Sequence, residues 1–351
     1  MWFIYLKFNQ SSQSIMSAKA ILQTLILFLI GIYLPQNAYS FSKGGHKIAA
    51  VIAHQQMTAE RRGEILRILA EHPRYQIDFL DEMPSEIADG RSSDREQWLF
   101  GQAAIWPDLA RNFPGDERRK YHRGGWHFIN LPIYLQDSDE EELSDDLGVN
   151  LSKRWRQGLD EMSLNAVQVL DWVKKTFADE ETSDAERAVQ ICWVMHIIGD
   201  LHQPLHTTAL FSQELFPRGD KGGNSVTVRT SRLGGTTNLH SLWDGLLGKD
   251  ISFNTVKRRA FEATSDEYIR SQAESGVSVT SPWNWAIEGS EYSRDYVYSE
   301  NIRSVLIHRA NGGEREIILY SDYKSEAGEI AKMRVAVGGY RLAAFLGGLV
   351  E

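Results

Sequence analysis

The chain has 351 residues, of which 42% are hydrophobic and 24% are charged, an ordinary balance for a folded protein. This excludes a disordered chain, a collagen-like chain and a membrane protein with many spans. Asp and Glu number 47 against 38 Lys and Arg, so the formal net charge is -9 and no overall basic field attracts nucleic acid. A nucleic-acid enzyme of this composition needs local cations, and bound metal ions are the obvious ones.

Cysteine content limits the chemistry further. The single cysteine, Cys192, excludes an intramolecular disulfide and a zinc cluster built from thiolates. We interpret Cys192 as a buried apolar residue. The 10 histidines remain as the side-chain nitrogens suited to a transition metal.

The N-terminal segment, residues 1–40, predicts a secretory signal. Its apolar run ILQTLILFLIGIYL is too short for a comfortable membrane span. Small residues at Ala38 and Ser40 favour cleavage between Ser40 and Phe41. Because such a signal is long, Met16 is an alternative start, and an uncleaved N-terminal anchor is the alternative interpretation. Cleavage predicts a secreted or periplasmic protein.

The remaining residues, 41–351, predict one mainly α domain. Apolar residues recur at helical spacing in four segments, 58–72, 164–177, 184–200 and 330–346. Ser183 and Glu186 predict a capping box at the start of the third. A small β-hairpin is expected near 225–237, where SVTVRT is flanked by glycine pairs. The domain contains no internal repeat and no linker long enough to divide it.

Two charge runs interrupt this pattern. Residues 137–146 include seven acids, which we interpret as a solvated loop. The basic run 117–123 lies just before His127 and could meet phosphates, but we interpret it as a solvated helix face.

Two histidine–aspartate pairs have a spacing that suits a metal site. His196 and Asp200 are four residues apart, as are His240 and Asp244, so on a helix each pair shares one face. His206 follows the first pair after a helix-breaking proline. A lone pair is more often a salt bridge, but two pairs with a nearby histidine indicate a metal site. Imidazole and carboxylate ligands without sulfur suit catalytic zinc.

The sequence resembles the zinc-dependent single-strand-specific nuclease family of fungi, plants and bacteria, which shares its helical fold with bacterial zinc phospholipase C. The resemblance covers nearly all of 41–351. Its motifs, in chain order, are Gly45-His46, Trp106-Pro-Asp108, Trp126-His-Phe128, HIIGDLHQPLH at 196–206, GDKGGN at 219–224 and NLHSLWD at 238–244. The HIIGDLHQPLH stretch followed by NLHSLWD is highly specific.

This resemblance implies three zinc ions. The first would be held by Asp108, His127, His196 and Asp200, and the second by His206, His240 and Asp244. The third would be held by Asp200, which bridges from the first, by His46, and by the amine and carbonyl of Phe41 after cleavage. The family usually has Trp at that N-terminal position, and Phe is tolerable because the ligating atoms belong to the backbone.

The resemblance also implies the reaction. Single-stranded DNA and RNA would be cleaved to 5′-phosphate products, with 3′-nucleotides as further substrates, by a water that the zinc cluster activates. Asp108 and Asp200 are the candidate catalytic residues. Phe128 and Asn224 are candidates for contacting an unstacked base. The alternatives are a core position for Phe128 and a turn position for Asn224.

One position departs from the family pattern. Fungal and plant members commonly have Asp where this chain has Asn130, which we include as a third candidate catalytic position. Since Asn cannot act as a base, any such role would pass to another group. His202, although inside the specific stretch, is expected to point away from Asp200.

Two other classes of function stay open at this point. One is a zinc-dependent phospholipase C acting on lipid head groups, and the other is a non-enzymatic zinc-binding protein. The GDKGGN and NLHSLWD motifs favour the nuclease. We expect a monomer with no obligate protein partner and no stable membrane association.

Overall fold

The computed structural model describes residues 42–351. The predicted signal at 1–40, its cleavage site and the expected ligand Phe41 lie outside the described residues. Within 42–351, no helix has both the length and the apolar character needed to cross a membrane.

Helices make up most of this region, as the hydrophobic periodicity predicts. They are α1 (Lys43–Gln56), α2 (Ala59–Leu69), α3 (Ser85–Ala88), α4 (Ser92–Ala110), α5 (Gly115–Tyr121), α6 (Asp137–Leu143), α7 (Ala166–Thr176), α8 (Asp184–Asp200), α9 (Leu239–Asp244), α10 (Phe253–Ser265), α11 (Glu267–Gly276), α12 (Pro282–Tyr292), α13 (Glu300–Ala310) and α14 (Ser321–Gly347). Short 3₁₀ or π-helical turns lie at Gln76–Leu80, Gly124–His127, Glu161–Ser163, Pro204–His206 and Ser293–Val297. The predicted mainly α fold is confirmed.

Two small sheets complete the fold. Strands β1 (Leu131–Tyr134) and β2 (Thr208–Phe211) pair in parallel. Strands β3 (Thr227–Arg229) and β4 (Thr236–Asn238) pair antiparallel and confirm the hairpin expected near 225–237. Strand β5 (Ile317–Ile318) pairs in parallel with β3. Neither parallel pairing was predicted, because both join segments that are distant in sequence.

The helix that bears the first histidine–aspartate pair forms as its sequence predicts. Helix α8 spans Asp184–Asp200, and the Ser183 backbone N–H donates to the Glu186 carboxylate at 2.9 Å in a capping box. Helix α14 begins at Ser321, well before the predicted 330. Its first turns are polar, with Ala327 the one buried residue among 321–330, so they lack a clear apolar repeat.

The acidic run at 137–146 corrects one interpretation. Its first part is helix α6 and not a loop. Asp139 is buried and accepts hydrogen bonds from the backbone N–H groups of Gln136 and Gln213, at 3.0 and 2.7 Å. Acids in the first turn of a helix are favourable because the N-terminal end of the helix dipole is positive.

The packing places three helices at the centre of the protein. Helix α1 packs against α4, α10 and α14, while α8 packs against α2, α4 and α14. The largest apolar cluster surrounds α4 and α8 and includes Trp106 and Trp193. A second cluster joins the β3 sheet to Leu205, Trp243 and Tyr298. Helix α1 bears His46, α4 bears Asp108, and α8 bears the pair His196 and Asp200. The packing of these three helices therefore brings the four side chains together.

Candidate metal centre

Eight of the nine expected ligands lie in the described region, and the fold brings all eight together. None is more than 6% exposed. They form three groups whose ligand atoms lie within 4.8 Å of one another: His46 with His196 and Asp200; Asp108 with His127 and His196; and His206 with His240 and Asp244. We call His46, Asp108, His127, His196 and Asp200 the helical half, and His206, His240 and Asp244 the loop half.

Asp200 lies at the centre of the helical half. Its Oδ1 is 3.3 Å from His46 Nε2, and its Oδ2 is 3.3 Å from His196 Nε2 and 3.2 Å from His127 Nδ1. Asp108 Oδ1 is 3.9 Å from His196 Nε2 and 3.3 Å from the Arg111 guanidinium. One carboxylate therefore lies between two ligand groups, in a position to bridge them.

The loop half is joined to this carboxylate by His206. His206 Nδ1 is 3.6 Å from Asp200 Oδ1, and its Nε2 is 3.8 Å from Asp244 Oδ1. His240 Nε2 is 3.4 Å from Asp244 Oδ2. The backbone N–H of Ile129 donates to the His206 carbonyl at 2.9 Å, so the segment that enters β1 holds the two halves side by side.

Backbone carbonyls orient three of the histidine rings. His196 Nδ1 lies 2.8 Å from the Ala104 carbonyl oxygen, His206 Nδ1 lies 2.8 Å from that of His127, and His240 Nδ1 lies 2.7 Å from that of Gly222. A carbonyl oxygen can only accept, so Nδ1 donates in each case, and Nε2 is the nitrogen that can bind a cation once it is unprotonated. This is the usual arrangement of histidines that bind metals.

Two glycines permit close approaches within the site. A Cβ at Gly199 would lie 2.5 Å from His46 Nδ1, and the His46 ring stacks on His196 with centroids 4.0 Å apart. Gly222 has a φ of +60°, and a Cβ there would overlap the Leu205 carbonyl oxygen. Glycine at position 199 lets the backbone of α8 lie directly against the His46 ring. Glycine at position 222 lets the backbone that orients His240 lie directly against Leu205.

Sequence reasoning missed three residues that support the loop half. Gln203 Nε2 donates to Asp244 Oδ1 at 2.7 Å. Asp220 accepts from the backbone N–H groups of Leu210 and Gly223, at 2.9 and 3.0 Å, and from the Tyr298 hydroxyl. Gln203 and Asp220 lie inside motifs already singled out, but nothing in the sequence indicates that Tyr298 would contact Asp220.

Burial and neighbouring charges shift the pKa values of the expected ligands. Burial alone would raise the pKa of Asp200, but the charges of His196 and His206 hold it well below its usual value. Burial lowers the pKa of His196 to about 3. Burial also opposes a charge on His206, but Asp200 and Asp244 outweigh it and raise the His206 pKa to about 9. His206 must therefore lose a proton when it ligates a cation.

The donor set fits metal ions. Asp108 Oδ2, His206 Nε2 and Asp244 Oδ2 are buried and make no hydrogen bond with any residue of 42–351. Buried polar atoms rarely lack a partner, and a cation at each group would supply one. Nitrogen and oxygen donors without sulfur, supported by carbonyl acceptors, suit zinc.

The expected substrate contacts differ in their surroundings. Phe128 is 39% exposed beside His127, so the core alternative for it is wrong. Asn224 is half-buried and its amide donates to the Lys221 carbonyl at 2.8 Å, which supports the turn alternative. Asn130 is half-buried just before β1.

Two further predictions about side chains near the site are confirmed. His202 points away from Asp200, because its Nδ1 donates to the Ile198 carbonyl at 2.7 Å and its Nε2 accepts from Arg341 at 3.0 Å. Cys192 is fully buried within the largest apolar cluster.

The chain is similar over most of its length to known nucleases. Nuclease S1 of Aspergillus oryzae is 25% identical over 332 residues, which cover 89% of this chain and 93% of that protein. Endonuclease 2 of Arabidopsis thaliana is 22% identical over 316 residues, covering 90% and 92%. Endonuclease 4 of the same plant is 28% identical over 156 residues, covering 44% and 48%. The family profile described as S1/P1 Nuclease matches residues 41–351, and the chain therefore belongs to the S1/P1 nuclease family.

Proposed function

We propose that this chain is a secreted, zinc-dependent phosphodiesterase that cleaves single-stranded DNA and RNA to 5′-phosphate products and also hydrolyses 3′-nucleotides. The observation that carries the proposal is the convergence of three buried histidine–aspartate groups in a chain of the S1/P1 nuclease family. Family membership makes nucleic acid the substrate class, and the names of the relatives agree with it.

Three zinc ions fit the groups described above. The first would be held by Asp108, His127, His196 and Asp200; the second by His206, His240 and Asp244; and the third by His46, Asp200 and the amine and carbonyl of Phe41 as the mature first residue. Bound zinc polarises phosphoryl oxygens and lowers the pKa of water to about 7. Positive charge at these groups offsets the net charge of -9 where an anionic substrate must approach.

The two buried aspartates have distinct tasks in this proposal. Burial would raise the pKa of Asp108, but the charges of His196 and His127 outweigh it and keep the pKa low. Arg111 holds one of the Asp108 oxygens. The ionised Asp108 carboxylate can therefore accept a hydrogen bond from the attacking water and orient it. Asp200, central among His46, His127 and His196, keeps the helical half assembled.

Exposed residues around the site would select the substrate. The Phe128 ring provides a surface on which an unstacked base can lie, whereas the faces of bases inside a duplex are already covered by their neighbours. The carbonyl oxygen of Asn224 can accept a hydrogen bond from the base, because the amide nitrogen already donates to Lys221. Asn130 can donate and accept hydrogen bonds but cannot take up a proton at neutral pH.

Digestion of a single-stranded oligonucleotide tests the proposal. The protein starting at Phe41 is assayed after chelation and again after zinc is restored, and the product ends are identified. We expect no cleavage with chelator, recovery with zinc, and 5′-phosphate ends. No cleavage by folded, zinc-loaded protein would overturn the nuclease, and hydrolysis of a lipid head group instead would indicate a phospholipase C.

A variant with a displaced N-terminus tests whether Phe41 is a metal ligand. A protein with one extra residue before Phe41 keeps every side chain but moves the free amine. We expect its metal content to fall from three ions to two, because the group of His46, His196 and Asp200 loses its backbone donors. Equal metal content in the two proteins would exclude Phe41 as a ligand.

A further inference from the structure

A buried pair of arginines lies behind the turn that joins the two halves of the metal centre. Arg334 and Arg341 on α14 are 2% and 3% exposed, although arginine is almost never fully buried unless it is paired. Both guanidiniums contact one carboxylate, that of Glu288, at 3.1 and 2.6 Å. Two positive charges that share one negative charge leave an excess of positive charge inside the protein, which needs further partners.

The excess positive charge meets the C-terminal end of α8. Arg334 donates to the carbonyl oxygens of Leu201 and His202, both at 3.4 Å. No other donor among the described residues reaches either oxygen. Carbonyls at the end of a helix lack partners within the helix and form the negative end of its dipole, so a cation is favourable there. Arg334 therefore closes the end of the helix that bears His196 and Asp200.

Arg341 holds the same segment through a side chain. Its guanidinium donates to His202 Nε2 at 3.0 Å, while His202 Nδ1 donates to the Ile198 carbonyl at 2.7 Å. Arg341 is itself anchored by the Gly276 carbonyl, to which its Nε donates at 3.0 Å. The His202 ring is therefore held at both nitrogens, one bonded to α8 and the other to α14.

A glycine between the two arginines brings α14 against this ring. Gly338 shares a face of the helix with Arg334 and Arg341, since residues three and four positions apart lie on one side. A Cβ at Gly338 would lie 3.1 Å from His202 Cγ, which is tighter than an ordinary contact. The backbone of α14 therefore packs directly on the turn that the arginines hold.

This turn connects ligands of both halves. Residues 201–205 follow Asp200 and precede His206, and all five are buried. In the middle of the turn, Gln203 donates to Asp244 Oδ1 at 2.7 Å. A shift of the turn would move His206 directly and would move the support of Asp244 through Gln203.

We propose that Arg334, together with Arg341, is a positioning residue of the metal centre, which fixes the turn between Asp200 and His206 and thereby the geometry of the loop half. This rests on the proposed metal site and not on the substrate. A planar guanidinium suits the position because it can hold Glu288 and two carbonyls at once. Stability alone is a weak explanation, since desolvation offsets the attraction within a buried ion pair.

Arg334→Met tests the proposal, because it keeps much of the side-chain volume and leaves Glu288 paired with Arg341. Arg303→Met is the matched control. Arg303 also donates to two successive backbone carbonyls, at the end of β1, at 2.7 and 2.8 Å, but neither belongs to a residue next to an expected ligand. Competition with a chromophoric chelator measures zinc affinity, and a His206→Ala protein identifies the step that belongs to the loop half.

For Arg334→Met we expect about tenfold weaker zinc binding in the loop half, with zinc in the helical half bound as in the wild type. Urea unfolding with chelator measures stability separately from metal binding. Both variants should unfold at lower urea than the wild type, because each leaves two carbonyls without a donor. Arg303→Met should nevertheless keep the zinc affinity of the wild type in both halves.

Three results would overturn the proposal: unchanged zinc affinity in folded Arg334→Met, equal losses in the two halves, or equal losses in the two variants. If Arg334→Met does not fold, Arg334→Lys keeps the buried charge but cannot hold all three partners, so it should lose zinc affinity in the same half. Wild-type affinity in Arg334→Lys would then contradict the proposal.

The measurement also separates this proposal from the proposed function. If the wild type binds zinc in both halves but cleaves no nucleic acid, the nuclease fails, while a selective loss in Arg334→Met still supports the positioning role. A folded wild type that binds no zinc would overturn both.

Discussion

The two halves of the metal centre are built in different ways. In the helical half, four of the five ligands project from the long helices α1, α4 and α8, which pack against one another in the core. In the loop half, His206 lies in a 3₁₀ turn and the other two ligands in the six-residue helix α9. A glycine turn and one buried carboxylate, Asp220, support it.

This difference indicates where each half is vulnerable. Long packed helices tolerate local changes because many contacts determine their position. A short helix and a tight turn depend on a few hydrogen bonds and on one backbone conformation, so single substitutions away from the ligands should affect the loop half more. The Asp200 carboxylate, within reach of His206, is the point where the halves meet.

Asp200→Asn should have the largest effect, because it removes the charge shared by two ligand groups. We expect metal content to fall from three ions to one, with the remaining ion in the loop half, and kcat/KM to fall by more than about 100-fold. Metal analysis and oligonucleotide cleavage measure this. Loss of all three ions together would show that the halves do not bind independently.

Gly222→Ala tests the turn that supports the loop half. An added methyl would overlap the Leu205 carbonyl oxygen, and the φ of +60° is unfavourable for alanine, so we expect a loss of about 3 kcal/mol in the free energy of unfolding. Gly63→Ala is the matched control, since it lies in α2 with nothing within 4 Å of the new methyl. That change should stabilise by about 0.4 to 1 kcal/mol. Urea unfolding measures the free energy of unfolding of both variants. Similar changes in the two variants would refute the backbone role of Gly222.

His72→Gln tests the core behind the helical half. His72 packs against Trp106 at 4.4 Å, and burial lowers its pKa from 6.5 to about 4. As pH falls, the unfolded chain therefore takes up a proton at this position before the folded protein does. The contribution of neutral His72 to the free energy of unfolding is complete above pH 6.5 and is lost between pH 6.5 and 4. Between pH 7 and 5 the wild type should lose about 2 kcal/mol more than the variant.

Urea unfolding at both pH values measures that difference, with metal content determined in each sample so that metal release is counted separately. Equal pH dependence of the two proteins would mean that His72 is protonated as easily in the folded state as in the unfolded chain.

Tyr298→Phe should have the smallest effect of the four. It removes the hydroxyl that donates to Asp220, whose pKa burial raises to about 6 against that hydrogen bond. Since Asp220 holds the Gly223 N–H, we expect about tenfold weaker metal binding in the loop half and no change in the helical half. Tyr320→Phe, at a tyrosine that is 52% exposed, is the control. An equal loss of metal affinity in both halves would indicate a general effect on folding.

The accuracy of the sequence predictions follows the same division. Helix α8 was predicted at its observed bounds because its capping box and apolar repeat are local signals. Spacing of four residues placed His196 with Asp200 and His240 with Asp244, and the structure has both pairs within 3.4 Å. The role of Tyr298 could not be predicted, because its partner lies 78 residues away.

Helical content, the histidine–aspartate spacing and the absence of thiol ligands were determined by the sequence itself, since each depends on residues within a few turns or on composition. Tertiary structure alone decided which groups share a ligand and how Gly199 and Gly222 admit close approaches. These outcomes depend on the parallel pairing of β1 with β2 and on the packing of α1, α4 and α8. Such contacts join distant segments, and no local pattern in the chain encodes them.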